Sequence, residues 1–562
     1  MTKVSRIKGA RTQSKQIGAA EYSGERGAGE IFGRGNVPLV LAIALVMVLH
    51  FVALGEAPPG TYIDESSIGY NAFSILHTGA DEHGERLPLY FKAFGEYKNP
   101  IFIYSLVPLV QIFDLSTWTV RFAAALYGIG AAMFTGLLVK EAGLGRWGLG
   151  TGFILAASTP WLFCLSRVGF EVISFPFFLS LAFWSWLKAI HSKSLPWFLL
   201  SWSAWGISLF TYPTARLMVP ILVVVLIRSY FGELRLNWAR SLIGVTPMGL
   251  CLLLLLAWSS QHPGTLSARF NDLSILNDRS DLLTVLFKFV ANYIHYFSAS
   301  FLFGTGDPNL RHHTGYGGEL FLSTFPLLLA GVAVAWQRRR QPLERFTLIS
   351  FLLFPLAASL TRDSAHALRT VNALPFVFLL MLWGYQWLRE FINAHRAILG
   401  LYVLVAALEA AGFYIDYFRD YPTRSRIWFA AGIEQTVKAA LNNRPGNLYY
   451  SAAVFRDENL QDKPPYIQPY IQFLHFGKLD PKVYQQHGMG GFNIFPFENG
   501  LAMPKDSTLL LKVGQELSMP SGRPLVVPTA DAPPSGSALI GESSIPGPYG
   551  TQSPVYRIYR IP

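Results

Sequence analysis

Charged residues are scarce in this chain. Asp, Glu, Lys and Arg make up 14% of its 562 residues, whereas a soluble domain usually carries about 25%. The deficit excludes an ordinary soluble globular protein. Hydrophobic residues amount to 51% and the mean hydropathy is +0.32. This composition is what burial in lipid requires, because a charged side chain in hydrocarbon is costly.

Cysteine and the common catalytic motifs are equally scarce. The two cysteines, Cys164 and Cys251, both lie in apolar runs and have no metal-ligand spacing, so we expect neither a disulfide framework nor a cysteine metal site. The sequence contains none of four common catalytic or nucleotide-binding motifs in a credible structural context. These are the P-loop, the G-x-S-x-G elbow, the H-E-x-x-H helix and the dinucleotide-binding fingerprint. The chain is therefore not expected to use the chemistry that these motifs provide.

The excess of basic residues is distributed in a way that indicates membrane topology. The formal net charge is +11, which by itself would suit a nucleic-acid partner. The basic residues, however, form short clusters between apolar runs. This arrangement is typical of cytoplasmic loops beside anionic lipid headgroups.

The N-terminal part is predicted to contain a tail, an anchor and a large loop. Residues 1–36 are rich in Gly, Ser and basic residues and are expected to form a disordered cytoplasmic tail. The apolar run 37–54 lacks a convincing cleavage site, so it should remain as the first membrane helix. The mixed segment 57–117 is too polar to span and is predicted to be an external loop with helices at the interface.

Further apolar runs complete a predicted transmembrane domain, 37–417, with about eleven spans. The short basic loops between them share a side with the N-terminal tail, so an odd number of spans would leave the C-terminus outside. The runs that follow the first helix are at about 118–139, 147–165, 172–190, 196–213, 216–231, 240–258, 319–336, 345–361, 371–388 and 397–414.

The composition changes at about residue 418, where short β-like runs alternate with turn-rich segments. We predict a small external soluble α/β domain over 418–562. Its expected elements are a helix at 428–441 and strands at 447–455, 507–513, 524–527 and 554–561.

Two adjacent carboxylates, Asp64 and Glu65, follow the first helix. Such a pair at a membrane boundary is either a hydrated loop or a functional site in which one carboxylate acts as general base. Lys98, at the end of the same loop, is either an interfacial lysine that reaches toward water or a point charge that holds a phosphate.

The later external loops add more ionisable residues. Arg167 and Glu171 could pair with each other or face the same cavity as Asp64. Arg311, His312 and His313 lie in one loop, where two adjacent histidines alone make a poor metal site. His366 and Arg369 lie in the last external loop, and Arg369 opens a membrane helix, where an arginine would bind phosphate well.

These residues also carry a resemblance to a known family. The chain resembles bacterial family 39 glycosyltransferases and is similar to the protein O-mannosyltransferases and the aminoarabinose transferases of lipid A, over about residues 37–480. The motifs that carry the resemblance are Asp64-Glu65, the stretch 71–79, the stretch 87–92, Tyr97-Lys98-Asn99-Pro100, 120–122, Ser166-Arg167 with Glu171, 306–312 and 366–369.

The resemblance implies a membrane all-α fold of glycosyltransferase superfamily C, with a catalytic site on the outer face and a polyprenyl-phosphate sugar as donor. The implied catalytic carboxylates are Asp64, Glu65 and Glu171, and the implied donor-phosphate ligands are Lys98, Arg167 and Arg369. Lys98 matches a lysine that commonly precedes two prolines, and this chain departs from that pattern at Asn99. The expected substrate pocket comprises Tyr62, Tyr97, Arg311, His312 and His366.

The predicted function is an inverting transfer of the sugar to a protein, lipid or glycan acceptor by a multi-pass protein of the inner membrane. No metal ligand is assigned, although a divalent cofactor is left open. A lipid-linked sugar transporter or flippase is the alternative, and a polysaccharide polymerase or ligase is a third. An enzyme would release free polyprenyl phosphate, whereas a transporter would leave its substrate unchanged.

Overall fold

The computed structural model describes most of the chain. The described residues are 37–143, 148–277, 281–363, 365–392, 396–444, 446–451, 470–497, 506–512, 516–518, 524–526, 536–546 and 552–561. The predicted N-terminal tail, 1–36, lies outside them.

The protein is mostly helical, which confirms the predicted fold class. The membrane part, including the helices of the first loop, contains α1 Val37–Phe51, α2 Ile63–Thr78, α3 Pro100–Phe113, α4 Thr117–Glu141, α5 Gly148–Ser158, α6 Pro160–Ser166, α7 Ser174–Ser192, α8 Leu195–Ser208, α9 Ala215–Ser229, α10 Phe231–Leu236, α11 Trp238–Gly244, α12 Thr246–Gln261, α13 Thr265–Leu273, α14 Leu282–His295, α15 Phe325–Gln337, α16 Pro342–Leu353, α17 Leu356–Ser359, α18 Leu374–Ile392 and α19 Arg396–Arg419.

Seven described helical segments are long and apolar enough to cross a membrane, or eight if α5 and α6, bent by 68° at their junction, form one span. The residue at the bend precedes Pro160, whose ring cannot continue the helix without a break. Three apolar helices are shorter. The seven segments are Thr117–Glu141, Glu171–Ser192, Trp238–Gln261, Leu282–Gly304, Pro342–Ser359, Ala367–Arg389 and Ala397–Arg419.

One of these segments, Leu282–Gly304, was predicted as loop. Its mean hydropathy is only 1.2, because polar residues such as Lys288 and Asn292 interrupt the apolar run. The chain on both sides of it contacts one loop: Ile275 donates its N–H to the carbonyl of Leu360, and the N–H of Ala367 donates to Asp307. Both flanks of the segment therefore lie on the same side of the protein.

The first loop folds back on the membrane part. Helix α2 follows the first membrane helix, and a hairpin of β1 Phe91–Ala93 and β2 Glu96–Lys98 leads into α3. The hairpin turn places Phe94 and Gly95 at φ values of 54° and 79°, the left-handed geometry of tight two-residue turns. The turn sets the position of Lys98 at the end of β2.

The C-terminal region forms a mixed sheet with helices against it. Its strand order is β4-β3-β5-β9-β8, with β3 parallel to β4 and β5 and with β9 antiparallel to β5 and β8. Its elements are α20 Tyr421–Ser425, α21 Ile433–Asn442, β3 Leu448–Ser451, α22 Tyr470–Gly477, α23 Pro481–His487, β4 Ile494–Phe497, β5 Thr508–Lys512, β6 Glu516–Ser518, β7 Pro524–Val526, β8 Ala538–Pro546 and β9 Gln552–Arg560.

Of the C-terminal strands, β4, β6 and β8 were absent from the sequence prediction. All three lie in segments rich in Gly, Pro or Ser, which weaken the alternating apolar pattern of a strand. Tertiary pairing decides their conformation: β4 lies beside β3, and β8 runs along β9.

Helix α22 packs on α2 and joins the C-terminal region to the first loop. Ser66 donates to the side-chain carbonyl of Gln472 at 2.8 Å, and Tyr70 donates to the carbonyl of Leu479 at 3.0 Å. Gln485 of α23 donates to Ser74 and to the carbonyl of Asp81. The C-terminal region thus contacts the helix that carries Asp64 and Glu65.

Candidate functional site

Glu65 is held rigidly in the protein interior. Its carboxylate accepts from Nε and Nη2 of Arg121 at 2.8 and 3.0 Å, from the N–H of Gly169 at 2.9 Å and from the N–H of Tyr62 at 3.0 Å. Both side chains of the ion pair are fully buried. A carboxylate whose two oxygens accept four hydrogen bonds in this way has little freedom to reach a substrate.

Arg121 and Arg167 hold the chain reversal after the first membrane helix. Arg121 donates to the carbonyls of Leu54, Pro58 and Gly60. Arg167 donates to the carbonyls of Leu49 at 2.7 Å, Val52 at 2.6 Å and Ala57 at 3.1 Å. These carbonyls lie at and beyond a helix C-terminus, where helix geometry leaves them without partners.

Arg167 is also enclosed by aromatic rings. Its guanidinium lies 5.4 Å from the ring centre of Phe163, 5.2 Å from that of Tyr417 and 5.0 Å from that of Phe418. The side chain is fully buried. The structure therefore places this predicted phosphate ligand in a cage of carbonyls and rings, which suits a structural role.

Asp64 forms a close ion pair with Lys98. Nζ of Lys98 donates to Oδ1 of Asp64 at 2.7 Å. The lysine side chain is 7% exposed and the aspartate side chain 29%, so the carboxylate retains access to solvent. Burial lowers the pKa of Lys98, but the charges of Asp64, Glu96 and Glu171 outweigh it and raise that pKa above its usual value. Lys98 is therefore a cation at neutral pH.

Glu171 is bound to the residue that follows Lys98. The backbone N–H and the side-chain amide of Asn99 donate to its two carboxylate oxygens at 2.6 and 2.7 Å. Arg216, at the start of α9, donates to the side-chain carbonyl of Asn99 at 3.0 Å. A proline at position 99, as in the pattern of the resembled family, would supply neither of the hydrogen bonds to Glu171.

Asp64, Lys98, Asn99, Glu171 and Arg216 therefore make one polar cluster, which combines two carboxylates with two cations. The first loop supplies three of its members. The other two come from the starts of helical segments that follow α6 and α8. Sequence analysis identified Asp64, Lys98 and Glu171 but missed Arg216. An arginine between Pro213 and Pro220 in an otherwise apolar run was the available signal.

An aromatic group borders this cluster. Trp258 packs against Tyr90 and Tyr97 with ring centres 4.6 and 5.6 Å apart, and His262 stacks on Trp258 at 4.1 Å. Arg216 lies over the ring of Tyr90. Tyr97 was predicted as a pocket residue, whereas Trp258 and Tyr90 were not, because their apolar surroundings in the sequence indicate only membrane burial.

Tyr62 connects this region to a second group of predicted residues. The guanidinium of Arg311 lies 4.2 Å from the ring centre of Tyr62 and 5.1 Å from that of Trp428. Phe170 contacts both Tyr62 and His312 edge to face, at 6.0 and 5.9 Å. Residues from three loops therefore meet beside the catalytic candidates.

His312 and His366 lie together on the far side of Phe170. Their ring centres are 4.6 Å apart, and Nδ1 of His312 contacts Oδ2 of Asp307 at 2.8 Å. Arg369 is nearby in sequence, and its Nη1 contacts Thr361 and Asp363 at 2.7 Å each. The Asp363 side chain is 52% exposed, whereas that of Arg369 is 9% exposed.

No protein-family model matches the chain, and no curated protein matches it in sequence. Solved structures do match. The apo structure of ArnT from Cupriavidus metallidurans aligns with a TM-score of 0.51 at 13% identity, covering 93% of this chain and 98% of that one. The same protein bound to undecaprenyl phosphate aligns at 0.49 and 14% identity, covering 87% and 98%.

A third structure is more distant. The archaeal oligosaccharyltransferase AglB from Archaeoglobus fulgidus, in complex with an inhibitory peptide and a dolichol-phosphate, aligns at 0.47 and 12% identity and covers 89% of this chain and 75% of that one. The alignment with the apo ArnT structure shows that this chain shares the fold of that protein, in agreement with the membrane fold that the sequence resemblance implied.

Proposed function

We propose that this protein is a membrane glycosyltransferase that moves a sugar from a polyprenyl-phosphate donor to an acceptor on the external face. The observation that carries the proposal is the cluster of Asp64, Lys98, Asn99, Glu171 and Arg216, which joins carboxylates and cations at helix starts. The fold that it shares with ArnT supports the same function.

The charges of the cluster suit a lipid-phosphate leaving group. When the bond from the anomeric carbon to the phosphate oxygen breaks, negative charge develops on that oxygen, and fixed cations stabilise it. We assign this role to Lys98 and Arg369. Arg216 adds a third cation next to Asn99. Arg167 is left out of the donor site, because both of its Nη atoms donate to backbone carbonyls and aromatic rings enclose its guanidinium.

Asp64 is assigned as the general base. The acceptor oxygen attacks the anomeric carbon while its proton passes to Asp64. The bond from the anomeric carbon to the phosphate oxygen breaks, and the polyprenyl phosphate leaves with the electron pair. This single displacement inverts the configuration of the anomeric carbon. Before the donor binds, Lys98 forms an ion pair with Asp64. A donor phosphate that attracts Lys98 would release the carboxylate, so that donor binding would prepare the base. Glu171 acts through Asn99 to fix the position of Lys98.

Mass spectrometry of a deletion strain tests the proposal. Surface glycans, glycolipids and glycoproteins are compared among the deletion strain and strains complemented with the wild-type protein or with Asp64→Asn. We expect one sugar modification to disappear on deletion and to return only with the wild-type protein. Full complementation by Asp64→Asn would exclude Asp64 as base, and an unchanged set of modifications on deletion would contradict the transferase function.

A further inference from the structure

A cluster with the composition of a metal site lies beside the proposed catalytic cluster. Asp307, His312 and His366 each offer one ligand atom, and these atoms lie within 4.8 Å of one another. The three residues come from two separate loops. Asp307 and His312 share the turn after the π-helical segment Ser300–Gly304, and His366 precedes the 3-10 helix Ala367–Ala373.

The Asp307 side chain is already oriented for ligation. Its Oδ2 accepts from the N–H of Ala367 at 2.8 Å and contacts Nδ1 of His312 at 2.8 Å. Its Oδ1 accepts from the N–H of Asn309 at 2.8 Å. Outer hydrogen bonds of this kind hold metal ligands in place and are a regular feature of protein metal sites.

Two buried carboxyl groups, Asp307 and Glu319, lie next to each other and would be stabilised by a bound cation. Asp307 and Glu319 are 1% and 0% exposed, and the N–H of Asp307 donates to Oε1 of Glu319 at 2.9 Å. Among the described residues, no lysine or arginine pairs with either carboxylate, and Nδ1 of His312 lies 2.8 Å from Oδ2 of Asp307. Two neighbouring buried carboxyl groups without a lysine or arginine beside them are costly.

The Glu319 side chain lies next to Asp307 and is only partly hydrogen-bonded. Its Oε2 has no hydrogen-bond partner among the described residues. A divalent cation beside Asp307 would offset the negative charge that is buried here.

We propose that Asp307, His312 and His366 bind one divalent metal ion. Two imidazoles and a carboxylate are the donor set that zinc prefers, and three protein ligands leave a fourth position open. The ion would connect the loop 305–313 to the helix that carries Arg369. This inference does not rest on sugar transfer, because the metal-binding residues and their test are independent of the reaction.

The metal content of the purified protein tests the proposal. The full chain is purified in detergent through a tag without histidine, incubated with Zn²⁺, dialysed and measured by inductively coupled plasma mass spectrometry. We expect about one zinc ion per chain. His312→Ala and His366→Ala should retain about tenfold less. His313→Ala is the matched control, since His313 is adjacent and buried but bonded to Gly318, and it should retain the ion.

Thermal unfolding of the wild-type protein gives a second measurement that requires no variant. A chelator should lower the midpoint of unfolding, and added Zn²⁺ should restore it, because the ion binds the folded state in preference to the unfolded one. A wild-type protein that holds no zinc after loading and whose midpoint ignores chelator would overturn the site. Equal zinc in wild type and in a folded His366→Ala variant would overturn the assignment of that ligand.

Discussion

At the scale of single residues, the adjacent carboxylates Asp64 and Glu65 have different surroundings. Asp64 keeps partial exposure and one partner, Lys98, whereas Glu65 is enclosed by Arg121 and two backbone amides. Consecutive residues of a helix project in different directions, so Asp64 stays partly exposed while Glu65 joins the interior. Neutralising Asp64 should therefore affect the transfer rate, whereas neutralising Glu65 should affect the stability of the fold.

Asp64→Asn should lower the transfer rate by about 10²–10⁴-fold, because an amide keeps the shape of the side chain but cannot accept the proton. Binding of the lipid donor should persist, since cations hold its phosphate. The measurement is transfer from a polyprenyl-phosphate sugar by the purified protein, with donor affinity determined in parallel. Glu434→Gln, at an exposed i, i+4 pair with Lys438, is the control and should transfer normally.

Glu65→Gln should act through stability, although the sequence resemblance implied a catalytic role for Glu65. It would leave the buried Arg121 without its counter-ion, and breaking a buried ion pair costs about 3–5 kcal/mol. The midpoint of thermal unfolding should fall clearly below that of Asp64→Asn. A Glu65→Gln protein with wild-type stability and no activity would move the base to Glu65.

Arg369→Ala should raise the donor KM by about 10- to 100-fold, as expected for the loss of a hydrogen bond to a charged group. Arg369→Lys should restore activity poorly, because a planar fork with two donors becomes a point charge. Donor titrations with both variants provide the measurement. An unchanged KM in Arg369→Ala would remove this residue from the donor site.

At the scale of elements, the contact between the first loop and the C-terminal region contains buried ionisable groups. Glu82 exchanges hydrogen bonds with Asn71 of α2, its side-chain oxygen accepting at 3.2 Å and its N–H donating at 3.0 Å. Burial raises the pKa of Glu82 to about 8, with a further contribution from Asp81. The folded protein therefore prefers the neutral form of this carboxyl group.

This preference predicts a stability that falls as the pH rises. Between the usual glutamate pKa and about 8, the folded state holds a proton that the unfolded state has lost, so each pH unit costs about 1.4 kcal/mol. Glu82→Gln should flatten the decline of the unfolding midpoint over this range and raise the midpoint at alkaline pH. An identical pH profile for wild type and Glu82→Gln would show that Glu82 is ionised in the folded protein.

At the scale of the whole molecule, the C-terminal region packs against the first loop, since Gln472 accepts a hydrogen bond from Ser66 and donates one to the carbonyl of Thr61. The first loop follows one membrane helix after a basic tail, which the distribution of positive charge assigns to the cytoplasm. Both regions are thus expected outside. This argument does not depend on the number of spans, and so it is unaffected by the additional helical segment Leu282–Gly304.

A reporter fused after Pro562 tests this orientation. Alkaline phosphatase, which is active only outside the cytoplasm, should be active there, and a fusion within the basic segment 338–340 should be inactive. Activity of a cytoplasmic reporter after Pro562 would reverse the predicted topology.

The amino-acid sequence alone indicated a membrane protein, a helical fold and most of the polar residues that meet in the proposed catalytic cluster. Segments buried in lipid must be apolar, and helix ends that contact water can carry ionisable residues. Both features can therefore be recognised from short stretches of the sequence. The sequence singled out Asp64, Lys98 and Glu171 in this way. It also showed the family resemblance from which the fold was predicted.

The surroundings of each of these residues follow from the folded chain and not from its local sequence. Asp64 is partly exposed beside Lys98. Glu65 is enclosed by Arg121 and Gly169, which lie far away in the sequence. The carbonyl cage of Arg167, the bond from Arg216 to Asn99 and the meeting of Asp307 with His366 likewise join distant segments. Such roles arise from partners in space, because charge, burial and hydrogen bonding are set by what surrounds a side chain.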